Sequence, residues 1–173
     1  IIDKLKSYEE HPQQRRFIAI YGSSGTRISS LAKAGVLASL REAGPLALWP
    51  QIQCRPESDA LGSLAIALSA CFREQQTLSG VADLIGQMTA SDAGLDLALR
   101  MSLKGFPAGT RAVILIDQFE ECFTAVERVR AEGALKSNGD SSKDIERRKR
   151  VEEARARQRA FIRNLIHATS PET

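Results

Sequence analysis

Two stretches of the chain combine residue types that handle phosphate and water. The first, RRFIAIYGSSGTRISSLAKAGVLASLRE, sets an apolar, β-branched run before Gly22 and a helix-forming run after Arg27. Backbone N–H groups in such a turn can curl around phosphate oxygens at a helix N-terminus, whose dipole favours an anion. Gly22, Ser23, Ser24, Gly25, Thr26, Arg27, Ile28, Ser29 and Ser30 are therefore the candidate phosphate-contacting residues. Against the pattern G-x-x-x-x-G-K-[ST], Gly22 takes the first glycine and Ser29 the hydroxyl that ligates Mg²⁺. Arg27 stands where the second glycine belongs and Ile28 where the lysine belongs, so a backbone freedom and the principal phosphate cation are lost together. The Arg27 guanidinium can bind phosphate, but it is one position early and brings a Cβ where the loop wants none.

The second stretch is RAVILIDQFEECFT, a buried strand pattern that delivers Asp117 at its carboxyl end, with Glu120 and Glu121 just beyond. Ligands of open α/β sheets bind at that end of the strands, and a carboxylate there can hold Mg²⁺ together with Ser29. Glu120 or Glu121 then has the chemistry to orient or deprotonate an attacking water. The plainer role for the two glutamates is to cap the next helix and complement its dipole.

Three runs read as the strands that position these groups: Phe17 to Tyr21, Leu46 to Cys54, and Arg111 to Asp117. The middle one is interrupted by Pro45 and Pro50, so pairing is expected only from Leu48 or Gln51 onward. Helical spacing links Leu31, Ala34, Gly35 and Ala38; Leu61, Leu64, Ala65, Leu68, Cys71 and Phe72 behind Ser58 and Asp59 as caps; Val81, Leu84, Ile85 and Met88; and Leu95, Leu99 and Leu103. Strands alternating with helices predict an α/β layered domain with a mostly parallel sheet. From Glu127 the chain turns charged, and Lys143 to Arg163 holds nine basic and four acidic residues in what reads as one long exposed helix. Pairs such as Glu146 with Arg150 suit a solvated face; the alternative is a docking surface for acidic partners or nucleic acid, which the lack of interleaved aromatic residues argues against.

With both motifs in view, the chain resembles the STAND class of P-loop signalling NTPases, in particular the bacterial novel STAND NTPase group, over about Phe17 to Pro171. Gly22, Ser24, Gly25, Ser29, Ser30, Leu31, Ala34, Gly35 and Leu37 match that group's first motif, GPSGSGKSSLLRAGLLPAL. WPQIQCRPESDALGSLAIAL is similar to its strand ending in Arg-Pro before an acidic-capped helix, DQFEE at Asp117 to Glu121 to its second NTPase motif, and Ala160 to Ile166 to the helix beyond. The resemblance implies a P-loop NTPase-like three-layer sandwich, ATP or GTP between Gly22–Ser30 and Asp117, Mg²⁺ near Ser29 and Asp117, and Glu120 or Glu121 as the base. It implies a regulatory switch with little turnover, and the departures at Arg27 and Ile28 make weakened or absent nucleotide handling the expectation. It also implies a strand between the first-motif strand and the Asp117 strand; none is visible after Ile166, so the sheet is expected to be truncated with apolar edges left open, unless the strand is supplied elsewhere or another segment fills the slot.

Composition sets the frame. The 173 residues are 43% hydrophobic and 26% charged with a net charge of +3, which suits one soluble domain and does not announce a nucleic-acid binder. The longest charge-free stretches, Ala43 to Cys54 and Leu61 to Phe72, are too short to cross a membrane. Three separated cysteines, Cys54, Cys71 and Cys122, fit free thiols in a cytoplasmic setting. Neither they nor the isolated His11 and His167 have metal-ligand spacing. The expected organisation is an arm at residues 1–16, an NTPase-like core at 17–126, and a charged insertion and helix at 127–173 belonging to the same domain. The rival reading is a non-enzymatic module that keeps the scaffold and meets protein or nucleic-acid partners through its basic helix, with further contacts or oligomerisation through flanking domains.

Overall fold

A computed structural model describes residues 1–11, 14–23, 27–72, 80–135 and 141–171. Helix α1 (Ile2–Glu10) comes first, and a continuous helical run follows from α2 (Ile28–Ser30) through a π-helical segment (Leu31–Leu37) to α3 (Ala38–Leu40). A 3-10 turn over Gly44–Leu48, with Pro45 at its start, leads into β1 (Gln51–Cys54). The strand begins where Pro50, which has no N–H to give to a ladder, ends. Then come α4 (Ala60–Cys71), α5 (Val81–Ala90), α6 (Gly94–Ser102), β2 (Val113–Ile116), α7 (Glu121–Leu135) and α8 (Ser141–Ala168).

The strands pair in parallel, Gln51 opposite Val113 and Cys54 opposite Ile116. Their side chains alternate between two apolar clusters. Ile52, Cys54, Ile114 and Ile116 face the larger one, with Leu61, Leu64 and Leu68 of α4, Leu84 and Met88 of α5, Leu95 of α6 and Phe161 of α8. Val113 and Leu115 pack against the smaller one, formed by Leu37, Leu40, Leu46 and Trp49 with Ile2 and Leu5 of α1. Helices therefore cover each face of a small parallel sheet, as a strand apolar on both sides requires.

Helix ends are fixed by named side chains. Asp59, one of the two expected caps, accepts from the Gly62 N–H at 3.2 Å and also holds Arg157 of α8 at 2.5 Å. Asn164 of α8 is fully buried: its Oδ1 accepts from Leu95 N–H at the start of α6, and its Nδ2 donates to Met88 O near the end of α5 and to Ala160 O. One amide thereby satisfies orphan backbone groups of two helices. At Gly94 an added Cβ would lie 2.6 Å from the Gln87 carbonyl oxygen, so only glycine permits this approach of α6 to α5.

Two expectations need correction. Residues 17–21 form no strand, and the sheet among the described residues is β1 with β2 alone. Phe17 and Tyr21 are 58% and 92% exposed. Propensity makes a strand only where a ladder partner exists, and among the described residues this segment has none. β2 uses the N–H groups flanking its core for β1, Val113 to Pro50 O and Asp117 to Cys54 O, so the alternate groups at Ile114 and Ile116 face its other edge, where no described strand joins. Second, the basic helix is not exposed throughout. Its first half is solvated and carries the expected Glu146–Arg150 pair, but Ala160, Phe161 and Asn164 are buried in the larger cluster or beside it. The apolar and amide residues of AFIRNLI recur at helical spacing and turn that half inward.

Candidate functional site

The candidate site forms at the carboxyl end of the sheet. β2 presents Asp117, whose backbone N–H donates to Cys54 O at 2.9 Å, and Gln118 then takes a left-handed φ of 55° that turns the chain out of the strand. From the other layer, α2 presents Ser29. Ser29 Oγ donates to Asp117 Oδ1 at 2.5 Å, a contact between residues 88 apart in sequence. Lys33 Nζ lies 2.7 Å from Asp117 Oδ2, so both carboxylate oxygens are held from one helical run. The Lys33 ammonium first, then the Ser29 hydroxyl, hold the Asp117 carboxyl below its ordinary value, with Arg55 adding to them against partial burial.

Beside Asp117, Arg55 at the end of β1 forks onto Glu121 in the first turn of α7, with Nε 3.0 Å from Oε2 and Nη2 2.5 Å from Oε1. Glu57 N–H also donates to Glu121 Oε2, at 3.2 Å, from a residue with a left-handed φ of 49°. Arg55 holds the Glu121 carboxyl below its usual range. Lys33, Gln53, Cys54, Arg55, Leu115 and Asp117 line a cleft of about 140 Å³. Burial, with Glu57 nearby, pushes the Cys54 thiol up to about 11, which leaves it protonated and a poor nucleophile at neutral pH.

The sequence-derived residues divide clearly in space. Ser29 and Asp117 meet. Glu121 is drawn to Arg55, while Glu120 is exposed in the turn before α7. Gly22, Ser23 and Ser30 are exposed, Ile28 is half-buried at the start of α2, and Ser24, Gly25 and Thr26 lie outside the described residues. Arg27 caps α2 with φ 53° and ψ 31°, the left-handed conformation that the pattern's glycine adopts without strain. The two motifs do not single out Lys33 or Arg55. Lys33 could have been found from its place four residues beyond Ser29 on a helix, and Arg55 from its charge at the end of a strand.

A hydroxyl and a carboxylate are hard oxygen donors of the kind Mg²⁺ takes, usually with one or two carboxylates, waters and substrate phosphates completing its shell. The Ser29–Asp117 pair fits that donor set. Among the described residues no group of three or more His, Cys, Asp or Glu side chains is placed to hold a metal by itself. The cleft is smaller than the roughly 300 Å³ at which pockets for whole small molecules begin. Among the described residues no helix is long and apolar enough to cross a membrane.

No curated protein and no solved structure matches the chain. A family model does, across residues 2–172, nearly the whole length and both motifs. The chain belongs to the Novel STAND NTPase 1 family.

Proposed function

We propose that this chain is the nucleotide-handling core of a STAND-type signalling NTPase whose phosphate loop is weakened by Arg27 and Ile28. The observation that carries the reading is the Ser29–Asp117 contact, which joins the hydroxyl of the first motif to the carboxylate of the second. ATP or GTP would bind with its phosphates against Gly22–Ser30, and Ser29 with Asp117 would hold Mg²⁺. The ion, when bound, neutralises charge that develops on the phosphates. Glu120, outside the Arg55 fork, would be the glutamate that accepts a proton from water, while Glu121, held by Arg55, would brace the end of β1 against α7. In this reading residues 1–16 and 127–173 support the core within one domain, in the cytoplasm, and flanking domains supply the protein partners.

Calorimetric titration of ATP with Mg²⁺ tests it: weak uptake by the parent, abolished in Asp117→Ala, is expected. Mg²⁺-dependent turnover at an ordinary NTPase rate that disappears on Glu120→Gln would contradict the weakened state.

A second reading has its own observation. Between α7 and α8 a groove of about 460 Å³ is lined by Arg130, Arg147, Arg148 and Arg155 with Asp144 and Glu152, an excess of positive charge suited to an acidic partner. If that surface carries the function, Arg148→Glu with Arg155→Glu removes partner binding while nucleotide uptake is unchanged.

A further inference from the structure

The lysine that the phosphate-loop pattern requires is absent from position 28, and yet a lysine reaches the site. Lys33 projects from the π-helical segment one turn beyond Ser29, and its ammonium contacts the Asp117 oxygen that Ser29 does not. The Asp117 side chain is 16% exposed and that of Lys33 46%. A carboxylate this sheltered needs positive charge or hydrogen bonds beside it, and Lys33 supplies the charge in direct contact. Arg55, the other cation of the cleft, is committed to Glu121 through two hydrogen bonds.

Resting on the nucleotide-site reading above, we propose that Lys33 is a resident counter-cation, holding Asp117 in the place a divalent ion would take, so that metal loads only when Lys33 leaves the carboxylate. The two partners differ in freedom. Asp117 is fixed at a strand end by its backbone bond to Cys54 O, whereas Lys33 is half exposed and can swing into solvent without unpacking either apolar cluster. A single ammonium contact to one oxygen is also a modest barrier, of the size that a cation can displace.

The test uses the whole chain without nucleotide, in the parent, Lys33→Met, and Lys33→Met/Asp117→Asn. Mn²⁺ titration followed by electron paramagnetic resonance reads affinity, and thermal unfolding in EDTA and in Mg²⁺ reads coupling to the fold. Lys33→Met is expected to bind Mn²⁺ about tenfold more tightly than the parent, the scale of one charged hydrogen bond. Its unfolding midpoint should rise with Mg²⁺, and the double variant should lose both gains. Lys33→Gln must behave like Lys33→Met, which keeps the test open if the methionine variant folds poorly. Equal or weaker Mn²⁺ affinity in these variants, or an equal rise with Mg²⁺ in the parent, overturns the proposal. ATP·Mg²⁺ titration of the same proteins separates the two claims. Asp117-dependent nucleotide uptake with Mn²⁺ affinity unmoved defeats the counter-cation alone. A gain in Mn²⁺ affinity with no nucleotide uptake in any variant defeats the nucleotide reading.

Discussion

Asn164 and Asp117 each tie together segments far apart in the chain, but in opposite ways. Asn164 is sealed within the helical layer, neutral, and hydrogen-bonded through both ends of its amide to backbone groups of α5, α6 and α8. Asp117 sits at the rim of a cleft, charged, and bonded to a hydroxyl and a half-exposed ammonium. The first junction has no slack, because any loss leaves buried backbone groups unpaired. The second consists of groups that can exchange partners, which is what a binding site requires.

The largest expected effect breaks the sealed junction. Asn164→Ala leaves Leu95 N–H and Met88 O without their partner and should cost about 3 kcal/mol in urea unfolding, with Asn164→Asp nearly as damaging because a carboxylate cannot donate to Met88 O. A loss below about 1 kcal/mol would erase the contrast with Asp117. At the open junction, Asp117→Asn should change stability by no more than about 1 kcal/mol, since the Lys33 side chain is half exposed, while abolishing nucleotide uptake in calorimetry.

Acid separates the two junctions as well. Asp117 and Glu121 are held below ordinary values of 3.8 and 4.5 in the folded chain. Their contribution is complete above those values and is lost as pH falls through the lowered folded ones. The acid limb of a stability curve should therefore flatten in Asp117→Asn/Glu121→Gln. An equal flattening in a variant at neutral Asn164 would count against this assignment.

Much of this was legible in the sequence because it rests on local rules. The apolar spacing of α4, its Asp59 cap, the start of β1 after Pro50 and the placing of Asp117 at a strand end follow from periodicity and proline chemistry. Phe17 to Tyr21 shows the limit: a β-branched run says what a segment prefers, not whether a neighbour is there to pair with it. Lys33, Arg55 and Asn164 escaped for a related reason. Each acts through a partner remote in sequence, and a lysine on a helix or an asparagine near a basic run looks like ordinary surface until the elements are packed.

The smallest effect concerns backbone strain. Arg27→Gly relieves a left-handed conformation worth roughly 1–2 kcal/mol but adds freedom to the unfolded chain of about 0.5–1 kcal/mol, for a net gain near 0.5 kcal/mol in urea unfolding. A loss of stability would mean that the Arg27 side chain contributes more than its backbone costs.

Whether Ser29 and Asp117 frame a nucleotide site disarmed at positions 27 and 28 is read by calorimetric titration of ATP with Mg²⁺ into Arg27→Gly/Ile28→Lys. At least about tenfold tighter binding than the parent is expected, the scale of a restored charged hydrogen bond, and none once Asp117→Ala is added. A correctly folded repaired chain that takes up no nucleotide would contradict it.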